Sequence, residues 1–572
     1  MQVKSTEGQG FQLSAASYTL ATQPDRPYLF LYSAEGKKLA ELLIPASVHS
    51  TRGQDDTVAL DNWEITEDGE AITLALHARS SVWRSKTYRL RCTEKRFTYE
   101  IEVEGEGALT EVCYFGGYYS GHLRWGSGFF RSGYAFKRGF NPEPNTREQM
   151  LFSPAESVSI NLTGVPIPGK ADWFFTPPPF CLAFELPASW VALGIEACPG
   201  ANRFTDLSYH GAPDSFYLSL AYEGHTHVDG SYRLPAIGFD FAPDPYTAIE
   251  AHVAALRAIG AVPKSVETHP AWHREPLFCG WGAQCALAAL EGGRAPDYAR
   301  QEHYETFLHD LESHKLHPGT VVIDDKWQVT YGENVADPRK WPDLRGFVEA
   351  QHAAERRVLL WLKAWDPEGL PAEHCITNAA GLPIALDPTH PGCAAALRNS
   401  IHRMLSPEGY DADGFKIDFT ARIPCGPGIH VHGELWGLEL MRAYLALLHN
   451  EAKRVKPDAL IITHTPHPYL ADVVDMIRLN DINTGRDVLA AMAHRARIAR
   501  IACPKALIDA DNWPITNRET WRTYVDLQPE LGVPSLYFTT TIDNTREPLE
   551  DSDYTLLRNT WDRYRRSLGR LP

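Results

Sequence analysis

The arrangement of apolar and polar positions divides the chain into two parts. From the start to about residue 240, segments such as AITLALHARS and SFYLSLAYEG alternate apolar and polar residues, and Gly, Pro, Asn or Asp separate them. Alternation with a period of two is typical of strands that bury one face. Many such strands without helices between them predict an antiparallel β-sandwich.

A different pattern starts near residue 270. The preceding segment DPYTAIEAHVAALRAIG, at 244–260, predicts an amphipathic helix that ends at Gly260. Beyond it, eight short apolar runs alternate with helical segments, and the runs occupy 276–281, 319–325, 357–365, 412–419, 458–465, 474–480, 505–512 and 534–540. The segment after the fifth run, PHPYLADV, is the shortest of the helical segments.

Eight strand–helix units in about 300 residues predict a (β/α)8 barrel, the TIM barrel. An open, doubly wound sheet is the alternative, but no Gly-rich phosphate turn follows any of the runs. We therefore expect a multidomain protein with an N-terminal β-sandwich over 1–243, a helical linker over 244–270 and a catalytic barrel over 271–572.

Composition narrows the functional classes. The chain has 572 residues and a net charge of −17, without a Lys/Arg run of the kind that binds nucleic acid or anionic membranes. The ten cysteines form no CxxC pair and the N-terminus shows no signal-peptide pattern, so we expect reduced thiols and a cytoplasmic location. We expect no cofactor, no nucleic acid and no membrane partner, and we leave a homo-oligomer open.

Ionisable and aromatic residues collect where the predicted barrel strands end. They are Trp281 after the first run, Asp324, Asp325 and Trp327 after the second, Lys363 and Trp365 after the third, Lys416 and Asp418 in the fourth, His464 in the fifth, Arg478 and Asp481 around the sixth, and Asp509 and Asp511 in the seventh. A single strand-end Asp is usually a helix cap or an ion-pair partner. Capping does not explain ionisable groups at six of the eight strand ends, on the rim where barrel enzymes hold their active sites.

The types of residue on this rim indicate glycoside chemistry. The pair His430 and His432 lies in a Gly/Pro-rich loop without a further ligand, so we expect no metal site. Glycoside cleavage needs two carboxyl groups on opposite sides of the anomeric carbon, about 5–5.5 Å apart in enzymes that retain its configuration. Lys416 beside Asp418 is expected to lower the pKa of that carboxyl group and keep it ionised, as a nucleophile requires.

Four motifs carry a resemblance to the α-galactosidase clan of glycoside hydrolases. GFKIDFT resembles the clan's Lys-x-Asp nucleophile motif, and VVIDDKWQ is similar to the DDGWQ stretch of family 36. FCGWGAQ and IRLNDI resemble the GWCTWD and RxSDD motifs of the raffinose-synthase-like branch of that family. The motifs stand in the family's order and cover about residues 270–545.

The resemblance implies a role for each matching residue. Asp418 would be the nucleophile and Asp481 the acid/base in a retaining, exo-acting α-glycosidase, and the resemblance implies an α-galactosidase. Asp324 and Asp325 would accept hydrogen bonds from sugar hydroxyls, Lys416 would hold another hydroxyl, and Arg478 would orient the leaving side. Trp281 and Trp327 would pack on the sugar, and we expect the other strand-end residues Lys363, Trp365, His464 and Asp511 to line the same site.

The sequence also departs from the family pattern. At residues 282–285 the chain lacks the second Trp-Asp pair of the GWCTWD motif. Lys326, in VVIDDKWQ, replaces the glycine of DDGWQ. The acid/base motif has one Asp where the branch has two, which leaves Asp487 as a rival to Asp481, although Asp487 also fits a helix N-cap. An α-galactosyl transglycosylase, a family 31-like α-glycosidase and a non-catalytic carbohydrate-binding protein remain alternatives. Two aromatic segments, 132–140 and 171–180, are expected to pack on the sandwich surface, and the alternative is that they cover the active site of this chain or of a partner chain.

Overall fold

The computed structural model describes most of the chain. It describes all residues except 7–9, 23–25, 120, 122–123, 127–138, 141–150, 153–157, 162–179, 213–214, 266–267, 480, 482–487, 514, 516, 544–545 and 571–572. Asp487 and nearly all of the two aromatic segments therefore lie outside the described residues. Ten free cysteines are found, and no described helix combines the length and apolarity that crossing a bilayer requires.

The N-terminal part is built from two sheets that share one core. The first sheet runs in the order β1 (Gln2–Thr6), β2 (Gly10–Ser14), β3 (Tyr18–Thr22), β4 (Tyr28–Ser33) and β5 (Lys38–Leu43). The second contains β6 (Ser47–Ser50), β7 (Asp56–Asp68), β8 (Ala71–Ser80), β9 (Ser85–Cys92), β10 (Arg96–Tyr114), β11 (Gly116–Tyr119), β12 (Arg124–Gly126), β13 (Gly139–Phe140), β14 (Leu151–Phe152), β15 (Val158–Asn161), β16 (Cys181–Glu185), β17 (Trp190–Glu196), β18 (Asp206–Ala212), β19 (Ser215–Arg233) and β20 (Ala236–Ala242).

Aromatic residues join the two sheets face to face. The ring of Tyr18 on β3 lies 5.1 Å from that of Phe97 on β10 and stacks on Phe241 of β20 at 5.4 Å. Phe11 on β2 meets Trp63 on β7 edge to face at 5.5 Å. Nearly all pairings are antiparallel, with β7 and β11 as a parallel pair. The predicted antiparallel β-sandwich is confirmed.

The C-terminal part is a barrel of eight parallel strands. They are β21 (Leu277–Cys279), β22 (Thr320–Ile323), β23 (Arg357–Lys363), β26 (Gly414–Asp418), β27 (Leu460–Thr463), β28 (Met476–Arg478), β29 (Leu507–Asp509) and β30 (Ser535–Leu536), with a hairpin of β24 (Cys375–Thr377) and β25 (Pro383–Leu386) after the third. Each strand pairs with the next in parallel, and β30 returns to β21. The last gap is closed by a parallel bridge between Asp509 and Val533. The predicted TIM barrel is confirmed.

Helices surround the barrel and join it to the sandwich. Among the described residues they are α1 (Pro245–Ala258), α2 (Trp281–Glu291), α3 (Gln301–Ser313), α4 (Leu344–Ala353), α5 (Pro391–Leu405), α6 (Gly437–Val455), α7 (Val488–Ala502), α8 (Arg518–Leu531) and α9 (Asp551–Ser567). Asp244 caps α1, because its carboxylate accepts from the N–H groups of Tyr246 and Thr247. The connection after the fifth barrel strand, which has the shortest of the predicted helical segments, contains a short 3-10 helix, Pro468–Leu470.

Helix α2 is absent from the sequence prediction. Its sequence, WGAQCALAALE, is dominated by small apolar residues and shows no clear polar face. Small residues are required because α2 lies against the end of the last strand, where a Cβ on Gly282 would stand 2.5 Å from the carbonyl oxygen of Tyr537. Trp281, which the sequence suggests as the end of the first strand, is the first residue of α2.

Reciprocal hydrogen bonds join the sandwich to the N-terminus of α6. The N–H groups of Leu438 and Glu439 donate to the carbonyls of Phe204 and Asn202, at 3.3 and 3.1 Å. In return, the Glu439 carboxylate accepts from the N–H groups of Gly200 and Asn202, at 2.8 and 3.0 Å. The first-turn donors of α6 therefore find acceptors in the other domain instead of in water.

Replacing Glu439 tests this joint. Glu439→Ala leaves two backbone N–H groups of the 200–202 turn, and the Tyr469 hydroxyl, without their acceptor, so we expect a loss of about 2–4 kcal/mol in the free energy of unfolding. Denaturant unfolding followed by circular dichroism measures it. Glu408→Ala, at an exposed position, is the matched control and should unfold as wild type does. Equal midpoints for the two variants would show that the joint contributes nothing.

Candidate active site

The carboxyl ends of the barrel strands bring charged side chains to one rim. Strand β26 supplies two of them, Lys416 and Asp418, which point to the same face because they are two residues apart on a strand. Asp418 is paired in register with Lys363 of β23, and Arg478 of β28 with Asp509 of β29. The GFKID part of the GFKIDFT motif is thus a buried strand whose last residue presents a carboxylate to the barrel mouth.

Three side chains surround the Asp418 carboxylate. The indole of Trp361 donates to its Oδ2 at 3.3 Å, and the Nε2 atom of His464 lies 3.4 Å from its Oδ1. The Nη1 atom of Arg478 lies 3.8 Å from the same oxygen. Burial raises the pKa of Asp418, but the charges of Arg478 and Lys416 outweigh it, so the pKa is held below its usual value. Asp418 is therefore an ionised carboxylate.

Arg478 connects Asp418 to two further acids. Its Nη2 atom donates to Asp481, and its Nε atom lies 2.7 Å from the Asp511 Oδ2 and 3.0 Å from the Tyr537 hydroxyl. The guanidinium is 3% exposed, whereas the Asp418 and Asp481 side chains keep 12% and 24% exposure. Asp418 and Asp481 thus share one buried cation and both reach the opening of the site.

The three acids do not titrate alike, because one guanidinium compensates them all. Burial raises the pKa of Asp481, and the Asp418 charge adds to this effect against Arg478. Burial also raises the pKa of Asp511, to about 7, with Asp509 and Asp481 adding to it. Two neighbouring carboxyl groups whose pKa values are shifted in opposite directions form the arrangement that acid–base catalysis uses.

A second ion pair forms the floor of the site. Lys416 donates to the Asp324 Oδ2 at 2.6 Å, and both side chains are at most 5% exposed. The Cys279 thiol donates to the same oxygen at 3.1 Å and lies 3.4 Å from the Lys416 Nζ. Burial lowers the pKa of Lys416, but the Asp324 charge more than reverses this, so the ammonium stays protonated.

Asp325, the next residue, is held at the side of the floor. The Tyr331 hydroxyl donates to its Oδ1 at 2.8 Å, and the Lys363 ammonium lies 4.2 Å from the centre of the Tyr331 ring. Burial raises the pKa of Asp325 to about 6, although the Tyr331 hydrogen bond lowers it. Lys363 also pairs with Asp366 at 2.8 Å.

Two buried residues behind the rim fix the turn at 324–325. The Tyr304 hydroxyl accepts from the Asp324 N–H at 2.8 Å and donates to the Gln284 Oε1 at 2.8 Å. The Gln284 amide in turn donates to the Asp325 carbonyl at 2.5 Å. Gly280 makes room for this chain, since a Cβ there would lie 2.1 Å from the Tyr304 hydroxyl. Residues of the FCGWGAQ motif therefore support the turn of the VVIDDKWQ motif.

The structure does not bring all the predicted residues to the site. Trp327 and Trp365 are fully buried, and their indoles donate to the carbonyls of Trp361 and Thr420 at 2.9 and 2.8 Å. They form the packed wall behind the rim and present no ring to a sugar. Trp281 is half-buried and packs edge to face on Trp513 at 6.3 Å. His464 lies beside Asp418, and burial lowers its pKa to about 4, so it is neutral.

Sequence reasoning missed four residues that contact the charged groups: Cys279, Tyr331, Trp361 and Tyr537. Alternation along the strands could have found Trp361, because it is two residues before Lys363 and so shares its face. Tyr537 directly follows the eighth strand, at the rim where the other strands carry their ionisable residues. Tyr331 lies in a loop and has no periodicity that would mark it.

Comparison with known proteins gives similarity in structure only. No protein-family model and no curated protein matches the chain. A family 31 sulfoquinovosidase from E. rectale, solved with an aza-sugar inhibitor, has a TM-score of 0.59 at 10% identity over 98% of this chain and 82% of its own. An α-galactosidase from Lactobacillus brevis has a TM-score of 0.55 at 12% identity, over 100% of this chain and 85% of its own.

A third similar structure is longer than this chain. The cycloalternan-forming enzyme from Listeria monocytogenes, solved with a pentasaccharide substrate, has a TM-score of 0.54 at 11% identity. The match covers 99% of this chain but 54% of the Listeria chain, so the present chain spans about half of that protein. At these identities the similarity establishes a shared fold, a β-sandwich followed by a (β/α)8 barrel.

Replacing Arg478 tests the charge balance of the site. Arg478→Met leaves Asp418, Asp481 and Asp511 without their shared cation, which we expect to cost about 3–5 kcal/mol of unfolding free energy at pH 7. Uncompensated buried carboxylates have raised pKa values, so the folded state binds more protons than the unfolded state and the loss shrinks as the pH falls towards 5. Denaturant titrations at both pH values measure it.

Arg294→Met is the control for this experiment. Arg294 is 80% exposed and pairs with Asp297 at 3.4 Å on the surface, so its loss should leave stability unchanged at both pH values. A wild-type unfolding midpoint for Arg478→Met at pH 7 would contradict the shared-cation arrangement.

Proposed function

We propose that this protein is a retaining, exo-acting α-glycosidase. The observation that carries the proposal is the pair Asp418 and Asp481, which contact one buried guanidinium while their pKa values move in opposite directions. An ionised nucleophile beside a protonated acid is what double displacement at an anomeric carbon requires. The fold shared with several solved glycosidases supports the same reaction class.

The reaction would run in two steps. An oxygen of Asp418 bonds to the anomeric carbon as the bond to the aglycone oxygen breaks, and Asp481 gives its proton to that oxygen. The Asp481 carboxylate then takes a proton from water, the water oxygen bonds to the anomeric carbon, and Asp418 leaves as a carboxylate. Arg478 remains in contact with both acids and balances whichever one is ionised.

The floor of the site supplies groups suited to sugar hydroxyls. Asp324 and Asp325 accept hydrogen bonds, and the Lys416 ammonium donates them. The ion pair between Lys416 and Asp324 fixes both side chains before a sugar arrives, so little conformational entropy is lost on binding. Trp361, through its bond to Asp418, orients the nucleophile.

For the sugar itself we propose an α-galactoside. The Lys-x-Asp order of Lys416 and Asp418 resembles the α-galactosidase clan, and α-galactosidases from Lactobacillus brevis and Geobacillus stearothermophilus share the fold. The equally similar family 31 structure makes an α-glucoside-type substrate the second candidate. The raffinose-synthase-like branch is supported by its motifs alone.

Replacing the nucleophile tests the reaction. Asp418→Asn should lower turnover of nitrophenyl α-galactoside by at least about a thousandfold, because the amide cannot form the glycosyl-enzyme. Asp418→Ala with added azide should recover activity and give the glycosyl azide of inverted configuration, identified by NMR. Asp366→Asn, which removes the partner of Lys363 and leaves the two acids intact, is the control. Full activity in Asp418→Asn on both α-galactosides and α-glucosides would end the proposal.

The pH profile tests the assignment of the acid. Activity needs Asp418 ionised and Asp481 protonated, so kcat/KM should rise below the ordinary carboxyl range and fall once the pH passes the raised pKa of Asp481. An alkyl α-galactoside, which has a poor leaving group, should show this alkaline fall most clearly.

The leaving group separates the two acid candidates. Asp481→Asn should slow cleavage of the alkyl substrate about a hundredfold more than cleavage of a nitrophenyl one, which leaves without a proton. Asp487→Asn serves as the comparison. If Asp487→Asn shows this selectivity and Asp481→Asn does not, Asp487 is the acid/base.

A further inference from the structure

A cavity away from the Asp418 carboxylate lies between the sandwich and the barrel. Its volume is about 560 Å³, within the range of small-molecule sites. One side is formed by residues of the β-sandwich, Arg203 and the part of β19 around His225 and His227. The other side is formed by the loop between β26 and α6, with His430 and Trp436. This loop follows directly after Asp418 in the chain.

Several donor groups that line this cavity have no partner among the described residues. The Arg203 Nε atom donates to the Gly200 carbonyl at 3.1 Å, and within the described part of the chain its terminal nitrogens form no ion pair or hydrogen bond. The rings of His227 and His430 likewise make no hydrogen bond to a described residue. The guanidinium presents planar donors that match the geometry of carboxylate and phosphate groups, so an Arg203 side chain that faces the cavity is suited to bind an oxyanion.

The walls of the cavity are held in place. The His225 ring stacks on Trp436 with 3.8 Å between ring centres, and Trp436 is 1% exposed. The His225 Nε2 donates to the Gly426 carbonyl at 2.9 Å, while the Gly426 N–H donates to Glu223 at 2.8 Å. Both walls are therefore tied across the domain boundary, and the cavity exists before any ligand enters.

We propose that this cavity binds a small ligand through an oxyanion group, such as a phosphate, sulfonate or carboxylate. The Arg203 guanidinium forms charge-assisted hydrogen bonds to the anion, and His227 and His430 donate to its remaining oxygens. Glu434, the acid among the described lining residues, is exposed and does not pair with Arg203. The negative charge of Glu434 repels an anion in the cavity, so removal of that charge is expected to strengthen binding.

Calorimetric titration of the full chain with inorganic phosphate, and separately with glucose 6-phosphate, tests the proposal without any turnover. We expect saturable binding to wild type, about tenfold weaker binding to Arg203→Met, as for one lost charge-assisted hydrogen bond, and tighter binding to Glu434→Gln. His430→Asn should also weaken binding, and its exposed side chain makes it safe for folding. Tighter binding of the sugar phosphate than of phosphate would identify an anionic sugar as the occupant.

Arg79→Met is the matched control, because Arg79 is an exposed arginine on β8 of the sandwich. It should bind both probes as wild type does. Circular dichroism shows which variants are folded. If either Arg203→Met or His430→Asn does not fold, the other variant still tests the proposal. The proposal is overturned if neither probe binds wild type saturably, or if the folded variants bind with wild-type affinity. Loss of glycosidase activity in Asp418→Asn leaves this outcome untouched.

Discussion

One buried guanidinium sets the chemistry of the barrel mouth. Arg478 contacts Asp418, Asp481 and Asp511 with a side chain that is 3% exposed, so its charge is poorly screened by water. One guanidinium offsets the burial of the three carboxyl groups unequally, so the pKa of Asp418 is lowered whereas the pKa values of Asp481 and Asp511 are raised. The position of each acid around the guanidinium, together with Lys416 beside Asp418, decides which one loses its proton first.

The sandwich completes the barrel as well as preceding it. The first turn of α6 finds its hydrogen-bond acceptors in residues 202–204, and Glu439 returns the contact. The loop that leads from Asp418 to α6 is also tied to the sandwich by Glu223 and His225. The segment that follows the proposed nucleophile is therefore held by the sandwich as well as by the barrel. The bonded residues His225 and Gly426 are 201 positions apart in the chain.

The sequence predicted those features that depend on periodicity. All eight barrel strands were found because buried parallel strands are short apolar runs, and the strand-end position of Asp418 and Arg478 followed from them. Helix α2 was missed because its small residues are selected by close packing on Tyr537, which no local pattern reveals. Trp327 and Trp365 were misplaced for a related reason: an indole next to a rim residue looks the same in sequence whether it faces a ligand or the core.

The closure of the cylinder has a consequence for how the site behaves. Two backbone hydrogen bonds join the end of β29 to the segment before β30, from the Val533 N–H to the Ile508 carbonyl at 2.7 Å and from the Ala510 N–H to the Val533 carbonyl at 3.0 Å. Asp511 directly follows Ala510 in the chain. The hydrogen bonds that close the cylinder therefore also anchor the residue whose carboxylate lies 2.7 Å from the Arg478 Nε atom.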